Sequence, residues 1–573
     1  MRVGTRKGVA LAVAIVSAAC APPPQYDLVI RHGTVYDGTG AAPVVEDVAI
    51  NGDRIAAVGQ LGGTRGRQEA DASGVAVAPG FIDMLNHSES ALIADGRGES
   101  GIRQGVTLGV FGESSAGPLS DRMKAEMQRR QGDIKYDITW TTLGGYLDSL
   151  VARGISPNVA SFVSASTIRA KEIGYDNRPP TPEELDRMRA DVRQAMAEGA
   201  MGLTTALIYT PAVFSKTDEL IELSKVAAES GGMYISHMRS EGDRLLEAID
   251  ETLTVARQAH IRAEIYHLKA AGQANYPKMA EAIAKIEAAR KEGLEITADM
   301  YTYTAGSTGL DAAMPPWVQE GGYDAWAKRL QDPKVRQRLR GDMTAAGGSW
   351  ENLLLAAGPE GTLLVGFKNE ALRRYAGKTL ADVAKERGAS PQDTAMDLVV
   401  EDGSRVQVVY FVMSEENVKR QIQQRWVSFG SDASFMASEG VFVRTSTHPR
   451  AYGNVARLLG KYVRDERAIP LEEAIRKLTS LPADTLRIND RGRLAAGQFA
   501  DVVVFDPKTI GDRATYEKPH QYSVGVRDVW VNGTQVLKDG DHTGAKPGRI
   551  VRGPGYRGSR QLSAVSFHRR TNS

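Results

Sequence analysis

The segments Tyr234-Ile-Ser-His237-Met-Arg239-Ser-Glu-Gly242 and Ile265-Tyr-His267-Leu-Lys269-Ala-Ala-Gly272 each end a short apolar run on a histidine, where a strand would give way to a loop. Between them, residues 243–259 carry apolar side chains at Leu245, Ala248, Ile249, Leu253 and Val255, the spacing of a helix with one buried face. Strand, His, helix, strand, His is the unit of a parallel barrel, whose strand C-termini share one face and aim their polar ends at one point. A lone histidine is usually a half-buried side chain. Two at neighbouring strand ends are different, because neutral imidazole is the commonest metal ligand.

Working outward, the same unit recurs. Strand candidates fall at Val75–Asp83, Val106–Phe111, Val159–Val163, Gly202–Ile208, Met233–Ser236, Arg262–Tyr266, Leu294–Met300 and Val427–Gly430. Charged, helix-like segments such as Thr181–Ala197 and Tyr276–Glu292 separate most of them, which predicts an α/β fold with a (β/α)8 TIM-like barrel. Both chain ends read differently, as short alternating runs punctuated by Gly and Asn51-Gly52, then Gly497–Phe505 and Val526–Gly533. They predict a small β-sandwich domain built from both ends, residues 26–78 and 491–551. The barrel is then expected over 79–490, with an insertion near 307–406 where the strand–helix period lapses, and a disordered tail over 552–573.

With 573 residues the chain exceeds what one core accommodates, in keeping with a large and a small domain. A net charge of +1 argues against a dedicated nucleic-acid or acidic-membrane surface. The single cysteine, Cys20, follows a basic start and the apolar run Gly8–Ala19, a run too short to span a membrane as an ordinary helix. Residues 1–21 therefore read as a signal peptide. Ser17-Ala-Ala-Cys20 resembles a bacterial lipoprotein signal, although Ser17 stands where Leu is usual; the alternative is ordinary cleavage near Ala19 or Ala21. The expectation is export from a bacterial cytoplasm, to a periplasmic or lipid-anchored location, with Cys20 the only membrane attachment.

At the mouths of the strands stand His87, Glu113, His237, His267 and Asp432. Two histidines and a carboxylate suit zinc with a position left open for water. Such an ion makes water acidic and polarises a carbonyl, so hydrolysis comes within reach. Asp432, in the loop after the last strand, is placed to take a proton from water and return it to a leaving group.

These stretches, with Ala78-Pro-Gly-Phe-Ile-Asp83, Ala298–Ser307, Gly430-Ser-Asp432, Thr447-His-Pro-Arg450 and Gly492–Asp501, resemble the amidohydrolase superfamily and within it the N-acyl-D-amino-acid deacylases (D-aminoacylases), from about Tyr26 to Gly533. The resemblance implies hydrolysis of the amide of a small N-acyl-amino-acid substrate. It implies tight zinc binding by His237 and His267, catalysis by Asp432, and a grip on the substrate carboxylate by Lys269, Tyr301 and Arg444. Tyr209 matches a pocket tyrosine of the family.

Two departures bear on the metal. The family usually has His-x-His after the first strand, whereas Leu85-Asn86-His87 keeps only the second histidine. Typical D-aminoacylases have a cysteine after the second strand; here Phe111-Gly-Glu113-Ser114 offers Glu113 as the substitute oxygen ligand, with Ser114 the rival alignment. The expectation is one tightly bound zinc ion on Glu113, His237 and His267, with His87 a weak ligand or pocket residue. The alternatives are hydrolysis of another C–N bond, in a dipeptide or cyclic amide, and a non-catalytic binding protein with a degenerate site.

Overall fold

The computed structural model describes residues 25–558; the signal-peptide region with Cys20, and residues 559–573 of the expected tail, lie outside the described residues. Among the described residues no helix is long and apolar enough to cross a membrane.

The two chain ends do meet in one nine-stranded sheet. Val502–Phe505 pairs antiparallel with Ala76–Pro79, so strands more than four hundred residues apart are adjacent. The long strand Tyr26–Val35 has a bulge between Ile30 and Gly33 and pairs with Gly66–Asp71 before it and with Ala76–Pro79 after it. This redirects one strand onto two partners and lets the sheet fold over a single apolar core of Ile30, Ile50, Val77, Val504 and Trp530.

The middle of the chain closes as a barrel of eight parallel strands. They run Phe81–Asn86, Val106–Phe111, Asn158–Ser161 continued by Val163–Ser164, Gly202–Ala206, Met233–His237, Arg262–Ile265, Ile296–Met300 and Val427–Phe429. Their burial is nearly continuous, because helices cover the outside and packed side chains fill the inside. Closure is made where the last strand meets the first: Asn86 bridges Ala433, and the Asp432 amide donates to the Leu85 carbonyl at 2.9 Å. The fifth and sixth strands pair Ser236 with Ile265, which puts His237 and His267 side by side at the same end.

Between the seventh and eighth strands the chain leaves the barrel. Gly306–Gly309, Thr362–Gly366 and Gln407–Tyr410 form a separate three-stranded antiparallel sheet, flanked by helices Pro333–Thr344, Leu380–Arg387 and Pro391–Asp402. The lapse of period in the sequence corresponds to this small excursion, whose central strand Gln407–Tyr410 places Gln407 and Tyr410 in the cavity at the barrel mouth.

The tail expected to start at 552 is ordered at first. The Val551 amide donates to Val159, Gly553 to Gly199 and Arg557 to Ala197, tying the segment to the N-terminal ends of the third and fourth barrel strands. The backbone groups of barrel turns satisfy a segment whose side-chain pattern gave no signal.

Candidate metal centre and active site

A cavity of about 690 Å³ lies at the C-terminal ends of the barrel strands. At its base the Glu113 Oε1 oxygen is 3.0 Å from His237 Nδ1 and 2.6 Å from His267 Nε2. Glu113 is left-handed, with φ 63°, a conformation costly for a residue bearing a Cβ. Its backbone is held by the Thr204 hydroxyl, 3.3 Å from its amide, and the Ser164 hydroxyl, 2.7 Å from its carbonyl. The preceding Gly112 is required for a close approach, since a Cβ there would fall 1.8 Å from the Tyr266 hydroxyl. Ser114 lines the cavity beside it.

Donor chemistry and spacing both fit a zinc ion. Two ring nitrogens and a carboxylate oxygen crowd a point where, with nothing between them, they must share protons, and the far nitrogen of His237, Nε2, is buried without a hydrogen-bond partner. Burial opposes ionisation of Glu113, but the flanking imidazoles hold it well below the usual carboxylate range. His267 is opposed by burial and by Lys269, yet the carboxylates of Glu241 and Glu113 push its pKa up to about 10.

A second group forms across Glu113. His87 Nε2 is 3.0 Å from Asp432 Oδ1 and 3.8 Å from Glu113 Oε2. Burial disfavours the His87 cation, but Asp432 and Glu113 together raise its pKa to about 9. Leu85 is fully buried and offers this group no ligand atom. Asp432, also left-handed at φ 49°, is anchored through its neighbour: the Ser431 amide and hydroxyl both donate to Asp83 at 2.6 Å. Burial lifts the pKa of Asp83 to about 6.

The side chains behind the histidines were only partly anticipated. Lys269 is buried, and its Nζ is 2.6 Å from Glu241 Oε1 and 2.7 Å from His267 Nδ1. Glu241 Oε1 is also 2.9 Å from His267 Nδ1, and its Oε2 is 3.9 Å from His237 Nε2, so one carboxylate stands behind both rings. Tyr301 lies against Lys269, and Tyr209 sets its ring edge-on to His237 at 5.3 Å. All three, with His87, line the cavity.

Arg444 is not part of this site. Its side chain is 59% exposed, and its guanidinium is 3.5 Å from Asp133 at the surface, because the turn Gly440–Arg444 carries it outward. The arginine in the cavity is Arg450, whose Nη1 is 2.9 Å from Asp432 Oδ2. Burial resists the Asp432 charge, while Arg450 and His87 hold its pKa below the ordinary value. The reading from sequence missed Arg450 and Glu241, although both sit in the stretches Thr447–Arg450 and His237–Gly242 that carry the resemblance.

The profile of the amidohydrolase family matches residues 68–537 of the chain. The chain is similar to the D-aminoacylase of Alcaligenes xylosoxydans xylosoxydans, with 33% identity over 531 residues covering 92% of this chain and 97% of that protein. Among solved structures, it is similar to the N-acyl-D-glutamate deacylase from Bordetella bronchiseptica, complexed with zinc and a phosphonate mimic of the tetrahedral intermediate. That superposition has a TM-score of 0.75 at 30% identity and covers 92% of this chain and 99% of the other. A D-aminoacylase with a binuclear metal centre, described as activated by one metal and attenuated by the second, aligns with TM-score 0.76 at 31% identity, covering 92% and 100%.

Two outcomes follow from the geometry. Glu113→Ala should abolish tight zinc binding, whereas Ser114→Ala should keep a stoichiometric ion, as read by elemental analysis after dialysis. Because His267 carries a proton in the metal-free protein at neutral pH, zinc uptake should release about one proton per ion or more and weaken as pH falls; calorimetry at pH 7.5 in buffers of different ionisation enthalpy measures the release.

Proposed function

The chain belongs to the amidohydrolase family, and from that premise we propose that it is a metal-dependent deacylase that hydrolyses N-acyl-D-amino acids to a carboxylate and a free amino acid. The observation that carries the reading is the shared Glu113 oxygen between His237 and His267, with Asp432 one side chain away across His87. We further propose a single tightly held zinc ion on Glu113, His237 and His267, supported by Leu85 in place of a second histidine beside His87.

Zinc bound there supplies Lewis-acid polarisation of the acyl oxygen and water acidic enough to attack near neutral pH. The protein's own groups do the rest. Asp432, ionised and oriented between His87 and Arg450, accepts a proton from the attacking water and delivers it to the amine as the C–N bond breaks. His87, positively charged in this setting, stabilises Asp432 and keeps one of its oxygens turned toward the metal ligands. Lys269 and Tyr301 face the substrate from the next two strand ends, and Tyr209 walls the side nearest His237. Burial of these groups keeps bulk water out, so their charges act at low dielectric.

Export rests on the sequence of residues 1–21: we propose that the protein leaves the cytoplasm and is anchored by lipid at Cys20. Cys20→Ala in a Gram-negative host should move the protein from the membrane fraction to the soluble periplasmic fraction; equal distribution of both forms would remove the anchor.

Asp432→Asn should lower kcat on N-acetyl-D-amino acids by at least about a thousandfold with zinc content unchanged. A panel of N-acetyl-D- and L-amino acids, dipeptides and cyclic amides tests the substrate class, and preference for the D-acyl compounds is the expected result.

A further inference from the structure

A histidine that binds a metal through one ring nitrogen needs an acceptor for the N–H on the other, because that contact fixes the tautomer and the plane of the ring. Here His237 Nδ1 and His267 Nε2 face Glu113, so the outer atoms are His237 Nε2 and His267 Nδ1. Glu241 reaches toward both, with Oε1 2.9 Å from His267 Nδ1 and Oε2 3.9 Å from His237 Nε2. The His237 atom is buried and has no hydrogen-bond partner among the described residues, so any retreat of Glu241 takes its acceptor further away. Whatever holds Glu241 in place also holds the ring.

The Glu241 backbone is fixed from two sides. Its carbonyl accepts the Ala271 amide at 2.7 Å, from the loop after the sixth strand, and its own amide donates to the Glu351 carboxyl of the excursion. Glu351 stands between the helices Pro333–Thr344 and Leu353–Ala357, at the end of a run of small residues, 345–349. That loop closes without it: Asn352 Nδ2 donates to the Met343 carbonyl at 2.8 Å, Asn352 Oδ1 accepts the Leu355 amide at 3.0 Å, and Leu353 and Leu354 are buried. Glu351 turns to the barrel instead. Glu241 lines the active-site cavity and Glu351 lines a second cavity of about 850 Å³, and Ala271 and Leu353 belong to both walls.

A second carboxyl beside Glu241 is an expensive way to accept one amide proton. Burial and the Glu241 charge push the Glu351 pKa up to about 7, and Glu351 Oε1 is itself buried without a partner. Anchoring a loop that Asn352 already closes does not explain that cost. We propose that Glu351 is a positioning residue of the metal centre: by holding the Glu241 amide it keeps the Glu241 carboxylate behind His237 and His267 as their common outer acceptor. The inference rests on the zinc site proposed above. It gives the excursion one contact with the support of the metal ligands, apart from the residues with which it walls the cavity.

The test measures zinc affinity of the full chain by competition with a chromophoric chelator, beside the visible spectrum of the Co2+-loaded protein. Glu241→Gln should weaken zinc by roughly 10- to 100-fold and Glu351→Ala by roughly 10-fold. Glu351→Gln, which keeps an oxygen for the Glu241 amide, should stay within about threefold of wild type and restore the Co2+ spectrum that Glu351→Ala shifts. Because Glu351 acts through Glu241, adding Glu351→Ala to Glu241→Gln should cost less than about a further twofold. Ser349→Ala, on the same loop, should change nothing. Where Glu351→Ala does not fold, Glu351→Asp, one methylene too short to reach the amide, takes its place. Wild-type zinc affinity and an unshifted Co2+ spectrum in Glu351→Ala, or a full additive loss in the double variant, would make Glu351 a loop anchor and overturn the proposal. A wild type that holds no zinc removes the metal reading and this inference with it. Neither readout uses a substrate, so failure of the deacylase reading shows separately, as a zinc-loaded wild type inert toward N-acetyl-D-amino acids.

Discussion

One carboxylate oxygen, Glu113 Oε1, lies within 3.0 Å of two imidazole nitrogens that arrive from different strands, and the cavity is organised around that meeting. Three elements must be in register for it to happen. The fifth and sixth strands pair so that His237 and His267 end level, and the second strand must deliver Glu113 opposite them. The chain accepts a left-handed residue at 113 and a glycine at 112 to do so, which is strain carried at a functional point and compensated by the surrounding hydrogen bonds.

Around this centre the charges are arranged in pairs. Glu241 faces Lys269 and both histidines; Asp432 faces His87 and Arg450; Glu351 from the excursion accepts the Glu241 amide. Buried ions are expensive unless matched, so these contacts leave little room for a substituted partner. The pairs also set protonation. Glu351 has burial and the Glu241 charge against it, which lifts its pKa to about 7, and burial does the same for Asp299, whose carboxylate receives the His267 amide at 2.9 Å. A site that combines carboxylates held low with others held near neutrality has both acids and bases available at one pH.

The excursion between the seventh and eighth strands supplies the outer wall of the cavity through Leu353, Val365, Arg405, Gln407 and Tyr410. Barrel strands hold the metal-ligating and catalytic groups, and a separately folded segment shapes what reaches them. This division lets side-chain and acyl preference change without disturbing the ligands.

Much of the architecture was legible in the sequence. Apolar strand runs alternating with amphipathic helices require a parallel barrel, and the alternating runs at both ends require a shared sheet, because side-chain periodicity reflects local burial directly. The strand-end residues His87, Glu113, His237, His267 and Asp432 followed from the same logic, since a strand end points where the barrel points it. What the sequence left open was the partner of each long, flexible side chain. Arg444 and Arg450 lie six residues apart in sequence, and only the turn at Gly440–Arg444 and the helix that begins at Arg450 send one to solvent and the other to Asp432. The order of residues 551–557 likewise depends on barrel backbone distant in sequence. Position along a strand is decided locally and can be read from the chain; charge pairing across the cavity is decided by groups far apart in sequence, and only the folded structure brings them together.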